Sequence, residues 1–144
     1  MIECSVKNCL KAVNGTLIRG TDGQEFNGVS IDSRTVDEGA LFVCIHGERF
    51  DGHDFIPEAV EKGVAGIMLS NPEKLSSTMN MENALSPFII QVEDTLTALQ
   101  ELARFYREQS EVRVVGITGT NGKSTTKEMT ASIATSKFAT HKTK

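Results

Sequence analysis

Leu41-Phe42-Val43-Cys44-Ile45 is an unbroken apolar run of strand length, the pattern of a strand buried on both faces. Gly47 to Asp54, which follows, is rich in glycine and charge and reads as a loop. Asp54 is placed to cap a helix running through Lys62, with Phe55, Ile56, Ala59 and Val60 apolar and Gly63 as its stop. Val64 to Leu69 then reads as a second strand. Strand, loop, helix and strand in this order form the repeating unit of a parallel α/β sheet.

The flanks extend the same reading. Upstream, residues 4–13 suit a short helix with Val6, Leu10 and Val13 on one face and Asn14-Gly15 as its end. Thr16 to Ile18 suits a brief strand before the turn Gly20-Thr21-Asp22-Gly23, and Phe26 to Ile31 a further strand that gives way to Asp32-Ser33-Arg34. Downstream, residues 70–86 look like a loose connection and Phe88 to Val92 like a strand. Asp94 opens a helix in which Leu96, Leu99, Leu102, Ala103 and Tyr106 recur at helical spacing. It ends near Gln109-Ser110, where a boundary is expected between a domain at 1–110 and a segment at 111–144. The expected class is α/β with a mixed, mostly parallel sheet.

Composition excludes several alternatives. An apolar fraction of 39% with 24% charged residues is that of a soluble globular chain. A net charge of −4 supplies no polybasic surface, which argues against nucleic acid as a partner. No run is long enough to insert in a membrane, and Met1 to Ser5 does not begin a secretory signal. Cys4, Cys9 and Cys44 are odd in number and scattered, which suits a reducing cytoplasm and neither a disulfide framework nor a zinc site.

Two segments carry chemistry. Val112-Arg113-Val114-Val115-Gly116-Ile117 reads as a short buried strand, Gly119-Thr120-Asn121-Gly122-Lys123-Ser124-Thr125 as a glycine-rich turn, and Thr125 to Ala134 as a helix. That arrangement cradles nucleotide phosphates: glycines admit the phosphate oxygens to backbone N–H groups, Lys123 adds a mobile cation and the Ser124 hydroxyl suits Mg²⁺. The spacing is not Walker A, because Ile117 stands where that motif needs its first glycine. An ordinary strand-to-helix turn remains the plain alternative.

The second constellation comprises Ile31-Asp32-Ser33-Arg34 and Gly47-Glu48-Arg49-Phe50-Asp51-Gly52-His53-Asp54. Both loops leave the C-terminal ends of expected strands, where ligands bind in open α/β sheets. Arginine beside a hydroxyl suits a phosphate or diphosphate. An Asp-Ser turn with Arg34 in a surface ion pair fits the same residues. His46, His53 and His141 have no metal-ligand spacing. Lys127 and Glu128 are expected to face solvent, and Lys142-Thr143-Lys144 to form a solvated tail.

Taken together, Ser30 to Arg34, Gly39 to Val43, Gly47 to His53 and Ile117 to Thr125 resemble the Mur ligases, the ATP-dependent amide-forming enzymes of peptidoglycan precursor synthesis. Within the family, Thr125-Thr126-Lys127-Glu128-Met129, Gly47 to Phe55 and His141 to Lys144 are more similar to the member that joins D-alanyl-D-alanine to UDP-N-acetylmuramoyl-tripeptide. The member that adds the third peptide residue is the second choice.

The resemblance implies that ATP phosphorylates the peptide's terminal carboxylate and that an amine displaces the phosphate. It implies that Gly119, Thr120, Asn121, Gly122, Lys123, Ser124 and Thr125 hold ATP, with Lys123 the catalytic cation and Ser124 the Mg²⁺ ligand. It further implies that Ile31, Ser33, Glu48, Arg49 and Phe50 contact the UDP part, with Arg34 in support. Family members have three domains. By this likeness 1–110 is the UDP-substrate domain and 111–144 only the opening strand, phosphate loop and helix of the central ATPase domain. The chain alone is therefore expected to be inactive, with the remainder of the ligase as its partner, or to serve as a non-catalytic UDP-sugar-binding module.

Overall fold

A central sheet of five strands takes the order β1-β5-β4-β3-β2, with β1 at Thr16–Arg19, β2 at Val29–Ser30, β3 at Leu41–Val43, β4 at Gly66–Leu69 and β5 at Phe88–Gln91. The computed structural model describes residues 4–75 and 86–143. Strands β2 to β5 run parallel, and β1 lies antiparallel on the edge beside β5. The part of the expected 70–86 connection that falls at 76–85 lies outside the described residues.

Period-two alternation divides the core into two layers. Leu41, Val43, Met68, Phe88 and Ile90 meet α1 (Val6–Val13) and α3 (Thr95–Glu108) through Val6, Cys9, Val13, Ala98 and Leu102. Phe42, Cys44, Ile67, Leu69 and Ile89 point the other way and meet α2 (Ile56–Glu61) through Ile56 and Ala59. The fully buried β3, covered on both faces, is what an unbroken apolar run demands.

Local signals account for most element ends. Ser5 caps α1 through Asn8 N–H, and Asn14 closes it in the left-handed region at φ 50°. Asp94 caps α3 by accepting from Thr97 N–H at 2.7 Å. Gly63 follows α2 with φ 77°, a conformation that disfavours a side chain.

Four expectations need correction. Between Phe26 and Ile31 only Val29–Ser30 pairs as strand, because Phe26 N–H turns to Cys4 O and Asn27 N–H to Gly39 O. Asp51, not Asp54, caps the helical segment, which begins as a 3-10 turn at Gly52–Phe55 before α2. In α3 the inward stripe is Thr95, Ala98 and Leu102 flanked by Leu99 and Tyr106, while Leu96 and Ala103 face outward. Finally, residues 112–117 form no strand, and Val112, Val114 and Val115 are exposed. A strand needs a neighbouring strand's hydrogen-bonding edge, and this part of the chain offers none among its described residues.

The chain divides into two compact units, Met1–Ser110 and Glu111–Lys144. Among its described residues the second holds one element, α4 (Lys123–Thr135), with no buried residue. Its Glu128, Lys142 and Thr143 are exposed, as expected, while Lys127 is half-buried and donates to Thr143 O and Glu128 pairs with Lys142, so the solvated tail also touches α4.

Candidate functional site

Both loops singled out in the sequence leave the C-terminal edge of the parallel strands, the first after β2 and the second after β3. The first is a tight turn. Ser30 Oγ accepts from Asp32 N–H at 3.2 Å, and Thr35 N–H donates to Asp32 O at 3.2 Å. Asp32 accepts from Arg34 through Nε at 2.9 Å, Nη2 at 2.7 Å and backbone N–H at 3.0 Å. The Arg34 hydrogen bonds hold the Asp32 carboxyl down to about 2, with the guanidinium charge adding to them. Arg34 itself is well exposed, and Asp32 leaves its end-on donors unused.

Ser33 behaves differently from its neighbours. It is buried, and its Oγ donates to Glu58 Oε2 at 2.7 Å. Lys62 Nζ donates to Ser33 O and Arg34 O, each at 2.7 Å, and lies 3.6 Å from Glu58 Oε1. Glu58 on α2 and Lys62, which caps that helix one turn later, thus hold the underside of the first loop. Sequence reasoning missed both. Their i,i+4 spacing was a visible signal of pairing, though not of the loop they grip.

The second loop is a small pinched excursion. Gly52 N–H donates to Ile45 O at 2.8 Å, His46 bridges Asp51, and Gly47 N–H donates to Phe50 O at 2.9 Å. Glu48, Arg49 and Phe50 stand exposed at its tip, with Phe50 71% exposed and edge-on to Phe55 at 6.5 Å. Ile31, 56% exposed, leaves the neighbouring strand. Two exposed apolar side chains among Arg34, Arg49 and Glu48 suit a ligand with a flat ring and charged groups.

Beneath this tip lies a network that the sequence did not reveal. Asp51 accepts from His53 N–H at 3.0 Å and from Lys74 Nζ at 2.9 Å, and Lys74 also reaches Asp54 at 2.7 Å. Burial opposes ionisation of Asp51, but the His53 backbone and ring and the Lys74 ammonium outweigh it and hold the carboxyl well below the usual range. Thr95 Oγ1 donates to Cys44 O at 2.9 Å and satisfies the carbonyl where β3 ends. Burial pushes the Cys44 thiol up to about 12, which leaves it unreactive. Among the described residues no group of three His, Cys, Asp or Glu could hold a metal ion.

The glycine-rich segment has its own geometry. Gly119 and Gly122 take φ 151° and 75°, and Gly122 precedes α4 with no side chain capping the helix. The first N–H groups of α4 are therefore not met by a cap, no acidic residue stands in its first turn, and a Cβ at Gly122 would meet nothing within 4 Å. Lys123 Nζ donates back to Gly119 O, which places the cation over the turn. Open N–H groups, a lysine and the Ser124 hydroxyl fit phosphate with its magnesium.

The model for the Mur ligase family, catalytic domain, matches residues 25–107, more than half of the chain, and takes in both loops but not the glycine-rich turn. The UDP-N-acetylmuramoyl-tripeptide–D-alanyl-D-alanine ligase of Bacillus subtilis is 39% identical, with 99% of this chain and 30% of that protein aligned. The UDP-N-acetylmuramoyl-L-alanyl-D-glutamate–2,6-diaminopimelate ligase of Bacteroides fragilis is 40% identical over 83% of this chain and 24% of its own length. MurF from Acinetobacter baumannii superposes with TM-score 0.78 at 29% identity, covering 95% of this chain and 28% of that one. MurF ligase from Thermotoga maritima in complex with ADP gives TM-score 0.60 at 36% identity, covering 77% and 24%. The chain spans about 30% of the length of the first of these curated relatives. With a family match across most of the first unit, and a fold shared with MurF over nearly all its length, the chain belongs to the Mur ligase family.

Proposed function

We propose that this chain carries the UDP-substrate-binding domain, at 1–110, and the phosphate loop of the central ATP-binding domain, within 111–144, of a MurF-type ligase. The observation that supports this most is the pair of braced loops at the ends of β2 and β3, which present Ile31, Arg34, Glu48, Arg49 and Phe50 on one sheet edge. In the proposed reaction the ligase joins D-alanyl-D-alanine to UDP-N-acetylmuramoyl-tripeptide. ATP with magnesium supplies the phosphoryl group that activates the peptide carboxylate as an acyl phosphate.

The chain's own residues divide this work. Phe50 and Ile31 offer apolar faces for the uracil ring, and Arg49 with the unused donors of Arg34 offers charge to the diphosphate. Ser33 contributes through its backbone and through the shape of the turn, its hydroxyl being held by Glu58. Backbone N–H groups at 122–125 and the Lys123 ammonium would hold ATP phosphates, and Ser124 Oγ would hold the magnesium.

Calorimetry with UDP-N-acetylmuramoyl-tripeptide and, separately, ATP tests the reading. The UDP ligand is expected to bind and ATP to bind feebly, because the first unit has a packed core and α4 buries nothing. Absence of UDP-ligand binding would sink the proposal. Both a D-alanyl-D-alanine ligase and a diaminopimelate ligase are among the relatives, so a second reading is the ligase that adds the third residue. Binding of UDP-N-acetylmuramoyl-dipeptide in preference to the tripeptide would favour it. Binding without any ligation, even alongside the rest of a ligase, would favour a non-catalytic module.

A further inference from the structure

His53 is buried to 2% side-chain exposure, within the 3-10 turn Gly52–Phe55 whose Asp54 and Phe55 are exposed. Its Nδ1 lies 2.5 Å from Asp51 Oδ1, and its Nε2 accepts from Ser70 N–H at 3.1 Å and Asn71 N–H at 3.3 Å. Two backbone donors at Nε2 require a lone pair there, so the ring is neutral and its proton sits on Nδ1, donated to Asp51. Ser70 Oγ is 3.4 Å from Nε2, which gives Ser70, His53 and Asp51 the order of a hydrolytic triad. The likeness ends there, because the lone pair that would take the serine's proton already receives two N–H groups.

What the ring does instead is connect. Ser70 and Asn71 directly follow β4, and Asp51 is the foot of the pinched loop, bridged to His46 across its base. Gly52, between Asp51 and His53, packs so closely that an added Cβ would meet Ile45 N, Ile45 O and Cys44 C at 2.7–2.9 Å. Lys74, in the 3-10 turn Pro72–Leu75, closes the circuit from the far side by gripping Asp51 Oδ2 and Asp54. The foot of the tip is therefore tied to the segment after β4 by two links, the buried His53 ring within and the Lys74 ammonium outside.

We infer that His53 is a positioning residue: it fixes the Glu48-Arg49-Phe50 tip to the end of β4 and thereby sets affinity at the UDP-binding face. The effect on affinity rests on the function proposed above; the fixing of the tip does not. Asparagine at 53 retains a donor near Asp51, whereas glutamine retains an acceptor reaching Ser70 and Asn71, so His53→Asn and His53→Gln cut opposite arms.

The test uses the full chain, with amide hydrogen exchange, the dissociation constant for UDP-N-acetylmuramoyl-tripeptide and the thermal midpoint read together. In both variants exchange at Gly47 and Gly52 is expected to accelerate about tenfold or more, while Cys44 and Val92, bonded within the sheet to Met68 O and Leu69 O, keep their protection. The dissociation constant is expected to rise about tenfold, the equivalent of one lost, well-placed interaction. Unchanged protection at Gly47 and Gly52 would overturn the inference, as would faster exchange with undiminished affinity. A wild-type chain that shows the exchange pattern but binds no UDP ligand would instead overturn the proposed function. Should both variants fail to fold, Lys74→Met cuts only the outer arm, and the same two amides should respond about threefold; no response there would count against the positioning role.

Discussion

Ser33 Oγ donates to Glu58 Oε2 across 2.7 Å, so the buried hydroxyl of the first loop is satisfied by α2 and not by the face above it. Removing the carboxylate leaves a buried hydroxyl without its acceptor and takes a counter-charge from Lys62, whose ammonium keeps Ser33 O and Arg34 O. Glu58→Ala should lower stability by about 1–2 kcal/mol, and Glu58→Gln, which keeps an acceptor, by less than half of that. Urea denaturation measures both; equal losses would show that the acceptor is irrelevant.

Thr95 gives a cleaner comparison, because its hydroxyl satisfies a buried carbonyl at the end of β3. Thr95→Val preserves shape and leaves Cys44 O unpaired, for a cost of about 1–3 kcal/mol, whereas Thr95→Ser should retain most of the stability. Thermal unfolding of the two variants side by side distinguishes hydrogen bonding from packing.

Gly66 faces the Phe88 ring so closely that an added Cβ would lie 2.1 Å from Cε2 and Cζ. Gly66→Ala must displace a fully buried ring between β4 and β5 and should cost about 1–3 kcal/mol. A companion Phe88→Leu change should recover part of it, and a purely additive double mutant would refute the steric explanation.

Acid should act on the two loops through their aspartates. Both have folded-state values depressed below the ordinary 3.8, so each contributes stability that is fully present above that value and lost as pH falls through the folded one. For Asp32 the window runs from 3.8 down to about 2. For Asp51 it begins at the same point and extends lower. Asp51→Asn should therefore flatten the fall in stability below pH 4 while reducing stability at neutrality, as followed by acid titration of far-ultraviolet circular dichroism. A wild-type slope in the variant would rule out Asp51 as a contributor.

At the exposed tip, Arg49→Ala and Phe50→Ala should each weaken binding of UDP-N-acetylmuramoyl-tripeptide by about tenfold and leave the thermal midpoint unmoved, since neither side chain is buried. Calorimetry and thermal scans on the same samples separate the two effects. A drop in midpoint without loss of affinity would mark them as structural.

The sequence disclosed the frame better than its bracing. Apolar continuity marked β3, and the cap Asp94 with its following stripe marked α3, because both signals are local. Asp51 and Asp54 flank the same two residues and were equally eligible caps; the choice falls to Asp51, which also takes the His53 ring. Leu96 fitted the helical period but lies on the outer side, where period alone cannot say which face meets the sheet. The segment 112–117 has strand composition, yet composition supplies no partner. Glu58, Lys62 and Ser70 act on residues far away in sequence, and such pairings have no local signature.

Helix α2 is six residues long, yet the first loop is held by its Glu58 and by its C-terminal cap Lys62, while the second runs into it through Gly52–Phe55. The two loops thus share one short lever. A shift of α2 by a fraction of an ångström must move both together, so neither loop can be retuned for a new ligand without disturbing the other. Variation in specificity is accordingly expected at the tip residues, with the helix beneath them held constant.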